Sequence, residues 1–273
     1  MALAAAKETV LKRIGLALGG GGARGIAHIA YLKALEELGI RPSVISGTSS
    51  GAIAGAMYAG GMNADEMLSA VQSALSVRHS ISGYFKRSET KTGGFVPAVA
   101  KNTLEHMLPK KAFEDLDIPL RIVATNFHTL KERVFTEGDI IGPLMASIAY
   151  PNAFMPQRVA DEYYVDGGAT NIVPFDIIRH ECDILIAIDV SVVRPNELKP
   201  SIKNSGYATW AATQEALISL KLQQCPVEVF ERPTIEDVAT MEFYKHKRIY
   251  SRAFEYIPGF KQKLKRILER EQI

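Results

Sequence analysis

Cysteine is scarce in this chain. Only Cys182 and Cys225 occur in 273 residues, far apart and without metal-ligand spacing, which argues against a disulfide framework or a thiolate metal site. They read as incidental thiols of a reducing compartment. No apolar run approaches the ~18–20 residues that a membrane span needs. The first residues, Met1-Ala-Leu-Ala-Ala-Ala-Lys-Glu, become charged too early for the apolar stretch of a signal peptide. An excess of charge of one sign is also missing: 32 Lys and Arg against 30 Asp and Glu leave a net +2, so nothing global points to a nucleic-acid partner. Internal repeats and low-complexity segments are missing. What these absences leave is a cytoplasmic globular chain whose 47% hydrophobic content can build a sizeable core.

The pattern along the chain predicts strands alternating with helices. Strands are expected at 14–18, from Pro42 to the glycine-serine turn that follows it, and at 119–126, 133–136, 183–189 and 227–230. Helices are expected at 23–35 (stopped by Gly39), to Met57 and over 64–77 after an Asn63 cap. Others are expected at 101–107, 140–149, from 174 to 180, and 207–222. Residues 158–160 and 163–165 read as a hairpin turning at Asp161-Glu162. Several strands are apolar throughout. The expected fold is therefore α/β, a three-layer α/β/α arrangement with a mostly parallel central sheet. Residues 1–12 read as a tail and 13–273 as one domain. The polar stretch 78–94 reads as a surface loop with lid-like composition.

Two glycine-rich turns carry chemical meaning. Val44-Ile-Ser-Gly47-Thr-Ser49-Ser-Gly51 passes from a β-branched run into an Ala-rich helical segment, the form of a strand–turn–helix elbow with Ser49 at its apex. Gly47 and Gly51 suit the sharp turn, and a plain Gly/Ser helix cap has the same form. Gly20, Gly21, Gly22, Ala23, Arg24 and Gly25 follow the first strand and match Gly-x-Gly-x-x-Gly. A dinucleotide site would also want an acidic residue at the end of the second strand, and a Walker loop would want Lys-Ser/Thr after the glycines; neither is present. Such a loop still offers backbone N–H groups at a positive helix end, suited to an oxyanion.

A serine nucleophile needs a proton acceptor. His180 and His246 lack the loop setting of a catalytic histidine, and His28 reads as a packing residue. Asp166 stands at a strand end with Gly167 and Gly168 behind it, which is also the form of an ordinary Asp-Gly turn.

The ordered set of residues 20–25, 47–51 and Asp166-Gly167-Gly168, with Ser147-Ile-Ala-Tyr-Pro-Asn-Ala-Phe-Met-Pro156 between, resembles the patatin-like phospholipase family. That resemblance covers about residues 14–189. It implies a serine acyl-ester hydrolase of lipids, of phospholipase A or lysophospholipase type. It makes Ser49 the nucleophile, Asp166 the base and the loop from Gly20 to Gly25 the oxyanion-hole and substrate-binding segment, without metal or cofactor. Phospholipid or lysophospholipid would be the substrate. The competing class is a non-catalytic lipid- or nucleotide-binding module built on the same glycine loop.

Residues 241–273 hold nine Lys and Arg against four Glu, interleaved with aromatic and aliphatic residues. A basic amphipathic helical segment of this kind suits peripheral contact with an anionic membrane, and equally a terminal helix packed on the sheet.

Overall fold

The computed structural model describes residues 12–76, 97–191, 199–235 and 238–271. The segment 78–94 and nearly all of the N-terminal tail lie outside the described residues.

The strands are β1 (Ile14–Leu18), β2 (Val44–Thr48), β3 (Leu120–Asn126), β4 (Glu132–Phe135), β5 (Gln157–Val159), β6 (Glu162–Asp166), β7 (Ile184–Ile188) and β8 (Val229–Glu231). They form one sheet in the order β5-β6-β3-β2-β1-β7-β8, with β4 also paired to β3. The five strands from β3 to β8 are parallel, while β4, β6 and β5 add antiparallel pairs at the other side. Alternation along the strands divides the core. Leu16, Leu18, Ile184, Ile186 and Ile188 point into one apolar cluster, and Ala17, Leu185 and Ala187 into a second on the opposite face. A strand buried on both faces takes apolar residues at successive positions, which is why β1 and β7 lack a polar alternation, whereas the buried Ser46 and Thr48 of β2 donate their hydroxyls to the Pro174 and Asn171 carbonyls.

Helices α1 (Ala27–Glu37), α2 (Ser50–Ala59), α3 (Ala64–Ser76), α4 (Pro97–Met107) and α5 (Ile141–Ser147) contribute to the first cluster. So do α8 (His246–Phe254) and α9 (Ile257–Glu271). Helices α6 (Phe175–Ile178) and α7 (Ile202–Gln224) cover the second face. The α/β architecture with helices on both faces of the sheet is as expected from the pattern. Among the described residues no helix is long and apolar enough to cross a membrane.

Local signals act as their chemistry requires. Gly39 takes φ +68 after α1, and the N–H groups of Gly39 and Ile40 return to Glu36 O and Leu35 O, closing a Schellman motif. Asn63 and Glu66 exchange 2.9 Å bonds between side chain and backbone, a capping box for α3.

Several boundaries differ from expectation. The chain after the glycines is first a 3-10 turn, Gly22–Ile26, and becomes α-helical only at Ala27. The helix near 101–107 starts at Pro97, whose fixed φ suits a helix start. That near 207–222 spans Ile202–Gln224, capped by the Ser201 side chain. The hairpin turns at Ala160-Asp161, with Ala160 at φ +51, so that Glu162 already pairs with Val159. The basic C-terminus is two helices, α8 and α9. Their apolar side is already used: Ile249, Ala253, Ile257, Phe260 and Leu264 are buried, and the Phe260 ring meets Tyr31 of α1 edge-on at 5.0 Å.

Candidate active site

The parallel strands deliver their carboxyl ends to one edge of the sheet, where such folds gather their binding groups. β1 leads there into the glycine loop and β2 into Ser49. Ser49 adopts φ 53, ψ −123, a left-handed conformation that a non-glycine residue holds only where its surroundings enforce it. Gly51 makes the elbow possible, because the carbonyl oxygen of Leu18 occupies the place where a Cβ would stand. The residue after Ser49 opens α2, so the positive end of that helix lies at the elbow.

Antiparallel β6 brings Asp166 level with Ala124 of β3, one step beyond Val123, which pairs with Thr48. The chain then turns across β3 toward β2, with Gly167 fitted against the Val123 carbonyl and the Thr48 methyl. Asp166 is buried, at 2% exposure. Its Oδ1 accepts the Gly168 N–H at 2.7 Å, and its backbone carbonyl accepts the Thr125 hydroxyl at 3.1 Å. Burial pushes the Asp166 carboxyl up to about 7, against the hydrogen bonds from Gly168 N–H and the Ser49 side chain, which pull it down. A carboxylate ordinarily too weak to deprotonate an alcohol is thereby brought near neutrality beside a hydroxyl.

The glycine loop is tied down more tightly than its composition suggests. Gly20 N–H donates to Ile172 O at 2.9 Å, Ala23 N–H to Thr240 O at 2.8 Å, and Gly21 N–H to Ser50 Oγ at 3.1 Å. Gly22 N–H has no acceptor among the described residues. The expected row of free donors therefore reduces to Gly22, with Gly21 held by a neutral hydroxyl. Gly25 serves packing, since a Cβ there would strike the Ser50 side chain. For Arg24 the sequence leaves open a positive charge near the site or a packing role, and the structure shows the latter. It is buried, and its guanidinium donates to Val190 O at 2.9 Å, Val238 O at 3.0 Å and Ser191 O at 3.4 Å. Three of the five planar guanidinium donors thus meet loop carbonyls, so Arg24 anchors the loop framework.

Ser49, Asp166 and the loop share the wall of a cavity of about 770 Å³. Its wall includes Ile53 and Met57 of α2, Met67 and Val71 of α3 and Leu104 and Met107 of α4, together with Tyr207, Trp210 and Gln214 of α7. Trp210 meets Tyr150 edge-on at 5.6 Å, and Gln214 Nε2 donates to the Gly168 carbonyl. The interior is apolar, suited to hydrocarbon with a few converging polar groups at one place.

Among the described residues no histidine lines the cavity. His180 precedes β7 at the opposite edge of the sheet. His28 is buried with Nε2 2.7 Å from Gly19 O, and burial pushes its ring down to about 4, so it is a neutral packing residue tied to the start of the glycine loop. Sequence reasoning missed Ser50, Thr125, Trp210 and Gln214 altogether, because nothing in their local spacing distinguishes them; tertiary approach alone brings them to the site.

The Patatin-like phospholipase family matches residues 16–179. An uncharacterised NTE family protein of Mycobacterium tuberculosis is 30% identical over 185 residues, covering 66% of this chain and 30% of that protein. The human patatin-like phospholipase domain-containing protein 6 is 28% identical over 271 residues, 89% of this chain and 20% of the relative. Lysophospholipase NTE1 of Pyricularia oryzae is 26% identical over 290 residues, 93% of this chain and 19% of the relative. The chain thus spans between 19% and 30% of the length of these curated relatives. A crystal structure of VipD from Legionella pneumophila superposes with a TM-score of 0.49 at 15% identity, covering 91% of this chain and 67% of that one. With more than half of its residues in the matched stretch, from the first strand to beyond Asp166, the chain belongs to the patatin-like phospholipase family.

Proposed function

We propose that the chain is a serine acyl-ester hydrolase of lipids, of phospholipase A or lysophospholipase type, working through a Ser49–Asp166 dyad and an acyl-enzyme. One observation carries this reading: a serine at a strained elbow faces a buried carboxyl raised to about 7, on the wall of a large apolar cavity. In the first step Asp166 takes the Ser49 hydroxyl proton as Oγ bonds to the ester carbonyl carbon. The tetrahedral oxyanion is met by Gly22 N–H and by Gly21 N–H, which exchanges the neutral Ser50 hydroxyl for a stronger, charged acceptor. Collapse breaks the bond to the alcohol leaving group, which takes the proton from Asp166. Water, deprotonated by Asp166, then attacks the acyl carbonyl carbon, and as the bond to Ser49 Oγ breaks the fatty acid leaves while Oγ takes that proton back from Asp166. The apolar part of the wall contributed by α2, α3 and α4 receives the acyl chain. The same reading puts the substrate in a membrane or micelle, and Lys247, Arg252, Lys265, Arg266 and Arg270, exposed on α8 and α9, offer an electrostatic contact to anionic lipid.

The test is intact mass after treatment with a fluorophosphonate, followed by peptide mapping. One adduct per chain, on Ser49, is expected. A chain that forms no adduct, or an adduct elsewhere, overturns the reading and leaves a lipid- or nucleotide-binding module, which has no reason to react covalently.

A further inference from the structure

Ser147 is the last residue of α5, fully buried, and it does not line the cavity. Its Oγ lies 2.6 Å from Val123 O and 2.8 Å from the backbone nitrogen of Ser49. The direction of both bonds is forced. A carbonyl can only accept and an amide N–H can only donate, so the Ser147 hydroxyl donates to Val123 and accepts from Ser49. One side chain thereby ties β3 and α5 to the apex of the elbow, where Ser49 holds φ 53. Strain of this kind persists only where neighbours over-determine the conformation. The bond also commits the N–H of the attacking residue itself, which could otherwise swing to the developing oxyanion.

We propose that Ser147 is a positioning residue for the nucleophile, fixing the Ser49 elbow in its attacking geometry and reserving the oxyanion for the glycine loop. This rests on the dyad reading above. Ser147 acts through the backbone of Ser49 and touches no substrate. Only a group that donates and accepts at one atom can take its place, which singles out a hydroxyl.

Threonine and valine share a shape and differ in that hydroxyl, so Ser147→Thr and Ser147→Val in the full chain form the decisive pair. The readouts are the rate and final stoichiometry of fluorophosphonate adduct formation, kcat and KM on a soluble ester, and Tm. Ser147→Thr is expected to label within about threefold of wild type. Ser147→Val is expected to label at least tenfold more slowly, with kcat down in step, KM within about twofold and the final adduct still one per chain. Small misplacements of reacting groups cost on the order of 10²-fold, so such a loss is within reach of one lost bond. Equal labelling rates in the two variants overturn the proposal. So does a loss of Tm and of adduct stoichiometry with an unchanged rate per reactive site, the mark of a purely structural serine. Should the extra methyl prevent both from folding, Ser147→Ala decides, because it is smaller than the native residue. A tenfold slower rate per site supports the proposal, and a wild-type rate overturns it. Wild-type protein that forms no adduct defeats the dyad reading and this one with it, before any variant is compared.

Discussion

Asp166 stands between two opposing influences, and its behaviour follows from their balance. Burial favours the neutral acid, while the Gly168 N–H and the Ser49 side chain favour the anion, and the carboxyl settles near 7 against an ordinary 3.8. As a base it must be ionised, so kcat/KM on a soluble ester should fall about tenfold per pH unit below about 7 and level off above, measured as a pH profile. Stability runs the other way. Between about pH 4 and 7 the folded chain keeps a proton that the unfolded chain has released. The favourable contribution of this group is therefore complete below about pH 4, declines as pH rises to about 7, and is constant beyond. Asp166→Asn removes the ionisation, so its gain in Tm over wild type should be greater at pH 8 than at pH 4.5; an equal gain at both would contradict the buried carboxyl. In turnover, Ser49→Ala and Asp166→Asn should each abolish nearly all hydrolysis. Because the pair acts as a unit, the double variant should be little worse than either single one. Full activity in either single variant removes the dyad.

At the scale of elements, the site depends on pieces distant in the chain. Helix α7 lies beyond the stretch matched by the family, yet its Trp210 and Gln214, one helical turn apart, press on the Gly167-Gly168 turn that carries the base. Helices α8 and α9 have a different task. Their buried side packs on α1, with Lys261 paired to Glu37 and Lys263 to Glu231 at 2.6 Å, so the surface left to meet a membrane is mainly charged, with Phe254 of α8 and the preceding Tyr244 as its exposed aromatic residues. Reversing Lys247, Lys265, Arg266 and Arg270 to Glu leaves those two ion pairs untouched. Binding to anionic vesicles should drop strongly, and more at low salt than at high, since each basic residue near such a surface contributes about 1 kcal/mol before screening. Turnover of a soluble ester should stay within about twofold. Unchanged co-sedimentation would exclude docking through these helices.

Across the whole molecule, the sheet serves as the frame that brings the separate turns together. β1 and β2 are parallel neighbours, so the glycine loop and Ser49 emerge side by side, and β3 carries the antiparallel β6 that brings in Asp166. The same frame is closed at the back by the C-terminal helices: Phe260 and Leu264 have no exposed surface and lie in the cluster that includes Tyr31, Leu32 and Leu35 of α1. Phe260→Ala should therefore cost about 3–5 kcal/mol, the range for deleting a buried aromatic ring, read by urea unfolding. A cost below about 1 kcal/mol would mean that α9 is only loosely attached.

Much of this was legible in order along the chain. The apolar run 14–18 is β1 residue for residue, Gly39 stops α1 where its φ must be positive, and Gly-x-Ser-x-Gly between a strand signal and a helix signal marks the elbow. These are local effects, fixed by backbone sterics and by short-range periodicity, and a sequence records them directly. Other properties belong to no local window. Arg24 follows the glycines and could equally face the site or the loop carbonyls; the carbonyls of Val190, Ser191 and Val238, far along the chain, decide it. The amphipathic C-terminus suited a membrane or a core, and Tyr31 of α1 decides in favour of the core for its apolar side. The carboxyl of Asp166 is an ordinary one until tertiary packing removes its water and raises it to about 7. Composition and periodicity determine which elements form; which polar group meets which, and how much water is left around it, is decided only when the sheet assembles.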